Sequence, residues 1–244
     1  MSDLLVAALA GLALVAGAIA AVAGFGIGSL LTPALAVSVG VKVAVTLVAL
    51  PHLAATVYRL WLLRRDIDRG VLLTFGLTSA AGGLAGAVLH GLISSPALSI
   101  VLGGLLVFAG VLELTGIGRQ VVLGGPLAVG AGGLSGLFGG LVGNQGGIRS
   151  AALLRFNLSG PALVATSTAT GMLVDLARIP VYVATGWSDL VAYWPLVALL
   201  AVGALAGTVI GAPVVCRLPQ QRFRQLLAVL LIGLGLLLVT GLGS

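Results

Sequence analysis

Charge is what this chain of 244 residues has least of: Asp, Glu, Lys and Arg together make up 7% of it. A soluble domain carries roughly 25%. So little charge cannot cover a surface against water, which excludes a soluble globular fold. Cysteine is as scarce. Cys216 stands alone at the end of an apolar run, which excludes an intrachain disulfide and a Cys-based metal site. Two histidines are too few for a convincing zinc centre. The GxSxG elbow and the GxxxxGK[ST] phosphate loop are both absent. These absences argue against an enzyme, including an intramembrane protease or a lipid enzyme, and no cofactor is expected.

What the chain has is apolar sequence. Hydrophobic residues make up 59%, and the mean hydropathy is +1.24. A helix needs about 20 mostly apolar residues to span a bilayer. Long apolar runs occupy 4–24, 43–63, 71–91, 97–116, 122–142, 161–184, 190–212 and 224–242. The expected class is an all-α polytopic, multi-pass membrane protein, with the lipid bilayer as its solvent. The first 24 residues lack a basic leader and run into further apolar sequence, so they read as a first span and not as a cleaved signal. The net charge is +6 and the pI about 10.8. Most arginines stand in short connections between spans, where they set topology, and no nucleic-acid partner is expected.

Two shorter apolar pieces remain, 27–40 and 147–159, each following a glycine cluster: "AGFGIGSLLTP" at 23–33 and "GGLVGNQGGIRSAALL" at 139–154. The chain looks duplicated. "VGVKVAVTLVALPHL" (39–53) lies on "SGPALVATSTATGML" (159–173) at an offset of 120, and "GGLAGAVL" (82–89) on "GALAGTVI" (203–210) at an offset of 121. The same order sets Gly26 opposite Gly146. Residues 1–120 and 121–244 are therefore expected to form two pseudo-symmetric halves. Such repeats are common in secondary transporters.

Charge bears on topology. If only the long runs cross, Arg64, Arg65, Arg69 and Arg119 oppose Lys42, Arg149, Arg155, Arg217, Arg222 and Arg224. If the two short pieces also carry the chain back, only Lys42 and Arg149 oppose the other eight, a clear positive-inside pattern. Five passes per half is odd, which makes the halves inverted repeats with broken helices at the Gly-rich motifs. Eight conventional spans is the alternative.

A helix that restarts inside a membrane presents free N–H groups and the positive end of its dipole, an anion site. Gly24, Gly26 and Gly28 open the first restart. Ser29 and Thr32 add hydroxyls, and Pro33 is expected in a first turn, where its missing N–H costs nothing. The second cluster offers Gly143, Asn144, Gln145, Gly146 and Gly147, followed by Arg149. An arginine at membrane depth is expensive and usually faces a cavity or a partner. Its planar fork suits an oxyanion. Close helix packing is the competing reading of glycine, and it is assigned to Gly132, Gly136 and Gly140 and to Gly203, Gly207 and Gly211, each set at four-residue spacing. Those small-residue faces fit a homodimer contact and internal packing equally well.

"LVDLARIPVY" (173–182) places Asp175 and Arg178 on one helical face, before a kinking Pro180. They read either as an internal ion pair or as a coupling or gating relay. The first-half counterpart, "LPHLAATVYR" (50–59), supplies His52 after Pro51, with Tyr58 opposite Arg178. His52 can titrate near neutral pH. Thr46, Thr166, Ser167, Thr168 and Thr170 can donate to a substrate or back to their own helix. Glu113, the one glutamate, has no assigned role.

The paired glycine motifs, each followed by a short piece and an "AT/AVT" helix, resemble the TauE/SafE family of sulfite exporters. So do "IDRGVLLTFGLTSAAGGLAGAVL" (67–89) and "GNQGGIRSAALL" (143–154), and the likeness covers nearly the whole chain. The resemblance implies a secondary transporter of small sulfur-containing anions such as sulfite, sulfoacetate and related organosulfonates, and an origin by duplication. Members often carry three consecutive glycines per motif. Here the first reads "GFGIG", and the second has an arginine where an apolar residue is common. An anion channel and a non-transporting scaffold are the alternative functions.

Overall fold

In a computed structural model, residues 2–115, 125–210 and 220–241 are described. Among them the chain is helical throughout. Its segments are α1 Asp3–Ala23, α2 Ile27–Val39, α3 Val41–Leu63, α4 Arg69–Leu92, α5 Ser95–Thr115, α6 Gly125–Val142, α7 Gly146–Leu153, α8 Gly160–Ala192, α9 Trp194–Ile210 and α10 Gln220–Thr240. By length and hydropathy, α1, α3, α4, α5, α6 and α8 are six candidate membrane spans. Cys216, Arg119, Arg217, Gly211 and the expected boundary between residues 120 and 121 lie outside the described residues. Glu113 falls near the end of α5.

The segments follow the hydrophobic runs, with two corrections. The helix expected over 161–184 continues to Ala192, because its interruption at Gly186 (φ −125°, ψ 25°) is a kink and not a connection. Pro33 is not in a first turn. It is the seventh residue of α2, so its missing N–H removes a bond the helix would otherwise make.

Glycine writes the two breaks. Gly24 (φ 76°) caps α1 and donates its N–H to Ala20 O, and Gly26 (φ 142°) precedes α2. Gly143 (φ 70°) ends α6 in the same way. A side chain at these angles is strained, so only glycine turns the chain here without cost. Residues 24–33 and 141–146 are buried. Non-helical backbone inside a membrane is tolerated only when covered by protein or lining a cavity.

Glycine also builds the helix contacts. A Cβ on Gly17 would overlap Ala204 O of α9, and one on Gly207 would overlap Leu14 O of α1. Gly132, Gly136 and Gly140 of α6 lie in the same way against Phe75, Ser79 and Gly83 of α4. Gly203 meets Ala10 and Ala13. The four-residue glycine spacing therefore serves packing inside the chain, and it supplies no argument for a second copy. Small residues let backbones approach where lipid offers no hydrophobic drive.

The same contacts give direction. Ala10 faces Gly203 and Leu14 faces Gly207, so α1 and α9 run parallel. Phe75 faces Gly132 and Gly83 faces Gly140, so α4 and α6 are parallel too. In contrast, Gly103 meets Gly235 while Gly110 meets Ala228, so α5 and α10 are antiparallel. Thr46 reaches Gly186 while His52 reaches Asp175, so α3 and α8 are antiparallel. Each of α1 to α5 can be exchanged with the helix five places later. The exchange turns the α1–α9 contact into α6–α4 and α3–α9 into α8–α4, and returns α3–α8 and α5–α10 to themselves.

The outer surface is apolar. Trp61, Trp187 and Trp194 are 60%, 63% and 59% exposed near helix ends, the position tryptophan favours at a membrane interface. Arg64 stacks over the Trp61 ring at 5.4 Å.

Candidate functional site

The two breaks touch. A Cβ on Gly28 would overlap Gly143 O, and one on Gly146 would come within 2.5 Å of the Phe25 Cβ. Ser29 Oγ donates to Asn144 Oδ1 at 2.8 Å, both side chains being buried. Neither α2 nor α7 has a side-chain cap, so their first N–H groups are not satisfied by a capping side chain. Both restarts converge on one small cavity lined by Phe25, Gly26, Gly28, Ser29, His52 and Gly143, by Asn144, Gln145 and Gly146, and by Arg149 and Arg178. Its volume of about 10 Å³ has room for roughly one water.

Arg149 is 1% exposed. Its Nε donates to Ser167 Oγ at 3.0 Å and its Nη2 to Gly24 O at 3.3 Å. The second break's arginine thereby reaches into the first break. Among the described residues its Nη1 has no partner, nor do the amide nitrogen and oxygen of Gln145, nor the buried hydroxyls of Thr32 and Thr170. Removing a carbonyl or amide from water without a partner costs about 1–3 kcal/mol, and more for a charged group.

Across the cavity, His52 Nδ1 lies 2.6 Å from Asp175 Oδ2. Arg178 grips the other oxygen, Oδ1, with Nε at 3.0 Å and Nη2 at 2.8 Å. Its Nη1 donates to Gly139 O at 2.6 Å. Tyr182 OH donates to Gly140 O, and its ring sits 5.8 Å from the Arg178 guanidinium. The Asp175–Arg178 pair is thus an ion pair within α8 that also holds α3 and the end of α6.

The hydroxyls divide by role. Thr46 and Thr168 bond back to Lys42 O and Val164 O of their own helices. Thr166 accepts from the Asp68 N–H, and Ser167 holds Arg149. Gly147 follows Gly146 in the first turn of α7.

Tyr58, which the repeat offset aligns with Arg178, is half-buried and lies near Trp61, with ring centroids 6.4 Å apart. The neighbouring Arg59 points inward instead. It is 3% exposed, and donates to Ala20 O at 2.5 Å and to Thr56 Oγ1 at 3.3 Å. Its signal was available: an arginine inside an apolar run is expensive unless it faces the interior.

A sequence model of the family described as sulfite exporter TauE/SafE matches residues 9–238. The chain belongs to the TauE/SafE family. None of the curated proteins or solved structures compared with it matches. TauE/SafE proteins are membrane transporters and not enzymes, and the family implies an anion as cargo. In this TauE/SafE chain the first glycine motif forms the α1–α2 break, and "GNQGGIRSAALL" forms the α6–α7 break and the whole of α7.

Proposed function

We propose that the protein is a secondary transporter that moves a small sulfur-containing oxyanion, sulfite or an organosulfonate, across the inner membrane by alternating access. One observation carries this reading. The buried interior holds three guanidiniums, Arg59, Arg149 and Arg178, against one carboxylate, Asp175. Guanidinium stays charged in proteins, so two positive charges lack a negative partner among the described buried residues. A small oxyanion supplies that partner. Gly24, Gly26, Gly28, Ser29, Asn144, Gln145, Gly146, Gly147 and Arg149 surround it.

We further infer that α1–α5 and α6–α10 are inverted copies. The exchange of pairings supports this, and so do the directions. Eight conventional spans would make α3 parallel to α8 and α5 parallel to α10. The antiparallel packing of both pairs favours a chain that α2 and α7 each carry back. The face bearing Arg64, Arg65, Arg69 and Arg155 is then cytoplasmic. The small size of the cavity, with room for roughly one water, supports a carrier that opens to one side at a time, over an open anion pore. Carriers built from repeats rock one half against the other around a central site.

A thermal-shift screen of the purified protein against sulfite, sulfate, thiosulfate, sulfoacetate and carboxylates tests the reading. Saturable stabilisation by sulfite or a sulfonate is expected. No stabilisation by any anion supports a scaffold, and large single-channel currents support a pore.

A further inference from the structure

We infer that transport is coupled to protons, and that His52 is the group that carries the proton. The inference rests on the anion reading above. His52 comes from α3 and Asp175 from α8, the third helices of the two halves. They meet at 2.6 Å beside the cavity that holds the unpartnered donors of Gln145 and Arg149.

The pair is arranged so that only the imidazole changes charge. Asp175 Oδ1 is held by two guanidinium nitrogens of Arg178, and Oδ2 takes the His52 Nδ1–H. The carboxylate therefore keeps a positive partner whether or not His52 is protonated. Nδ1 is committed to the carboxylate, so a proton arrives and leaves at the other ring nitrogen, Nε2. An imidazole is the side chain that changes charge near neutral pH.

The charged groups around His52 fix the sign of the coupling. Its own helix brings Arg59; α8 brings Asp175 and Arg178; α7 brings Arg149. Helices α2, α6 and α9 bring no ionisable side chain, and α5 brings only Glu113, near its C-terminal end. With the cavity unfilled, protonating His52 adds a third uncompensated positive charge. An anion in the cavity offsets that charge. Anion and proton therefore favour each other's binding, and by linkage the effect is reciprocal. Affinity rises as pH falls through the His52 titration, by up to about tenfold per pH unit. The two are carried in the same direction.

The test uses purified full-length protein and sulfoacetate, whose charge is constant between about pH 6 and 8. Calorimetry in two buffers of different ionisation enthalpy gives the protons taken up per anion. Uptake of a fraction of a proton is expected in the wild type as pH falls through the His52 titration, and pH-independent binding without uptake in His52→Gln. Wild-type binding without proton uptake overturns the coupling while leaving the anion site standing. So does a His52→Gln protein that keeps the wild-type pH dependence. Absence of binding at every pH overturns both readings. A second measurement does not require the His52 variant to fold. The chain has two histidines, so His90→Gln leaves His52 as the only imidazole for NMR. Sulfoacetate is expected to convert it to imidazolium at fixed pH; an unchanged ring contradicts the proposal.

Discussion

Ser29 and Asn144 stand 115 positions apart and are joined by a 2.8 Å hydrogen bond inside the protein. That bond ties the restart of α2 to the α6–α7 break, so the two breaks form one structure. Ser29→Ala leaves the Asn144 oxygen buried without a donor. A loss of about 1–3 kcal/mol is expected, seen as a lower melting temperature in detergent. An unchanged melting temperature would mean that water or a neighbour replaces the hydroxyl freely.

Gly28→Ala places a methyl group on Gly143 O. The backbones cannot separate without opening the site, so this variant is expected to lose anion-dependent stabilisation. Gly104→Ala is the control, because a Cβ there meets nothing within 4 Å. Removing a helical glycine is expected to stabilise α5 by about 0.5–1 kcal/mol. Thermal melts with and without sulfite separate the two outcomes.

The sequence made the ten segments, both breaks and most of the cavity wall legible. Gly26, Gly28, Ser29, Asn144, Gln145, Gly146, Arg149, His52 and Arg178 all line one cavity; they were legible because two glycine clusters each precede a short apolar piece, and because charges inside apolar sequence are costly. Arg59 was missed because aligning the halves set Tyr58 opposite Arg178, whereas α3 turns Arg59 inward. Which helices pair with which was not legible either. It rests on which glycine meets which carbonyl, a property of pairs that no single segment carries.

Topology is tested with single cysteines in a Cys216→Ser background. Asp66 and Ser188 are both exposed. Inverted halves put Asp66→Cys and Ser188→Cys on opposite faces of the membrane. Eight conventional spans put them on the same face. Labelling with an impermeant thiol reagent, from outside and after permeabilisation, distinguishes the two.

Asp175→Ala removes the only carboxylate among the described buried side chains and leaves Arg178 without its ionic partner. Breaking a buried pair on one side typically costs about 3–5 kcal/mol. A sharp fall in melting temperature is expected, partly restored by pairing the change with Arg178→Met. If the double variant is no more stable than the single, the cost arises elsewhere than at the stranded guanidinium.

The central claim is that one anion sits between the two breaks, held by the Arg149 guanidinium. Counterflow of labelled sulfite in proteoliposomes tests it most directly, comparing wild type with Arg149→Lys and Arg149→Ala. The account predicts saturable exchange in the wild type, a weaker rate with lysine, which keeps the charge but loses the planar fork, and a loss of about a hundredfold or more with alanine. Exchange at the wild-type rate in Arg149→Ala would contradict it.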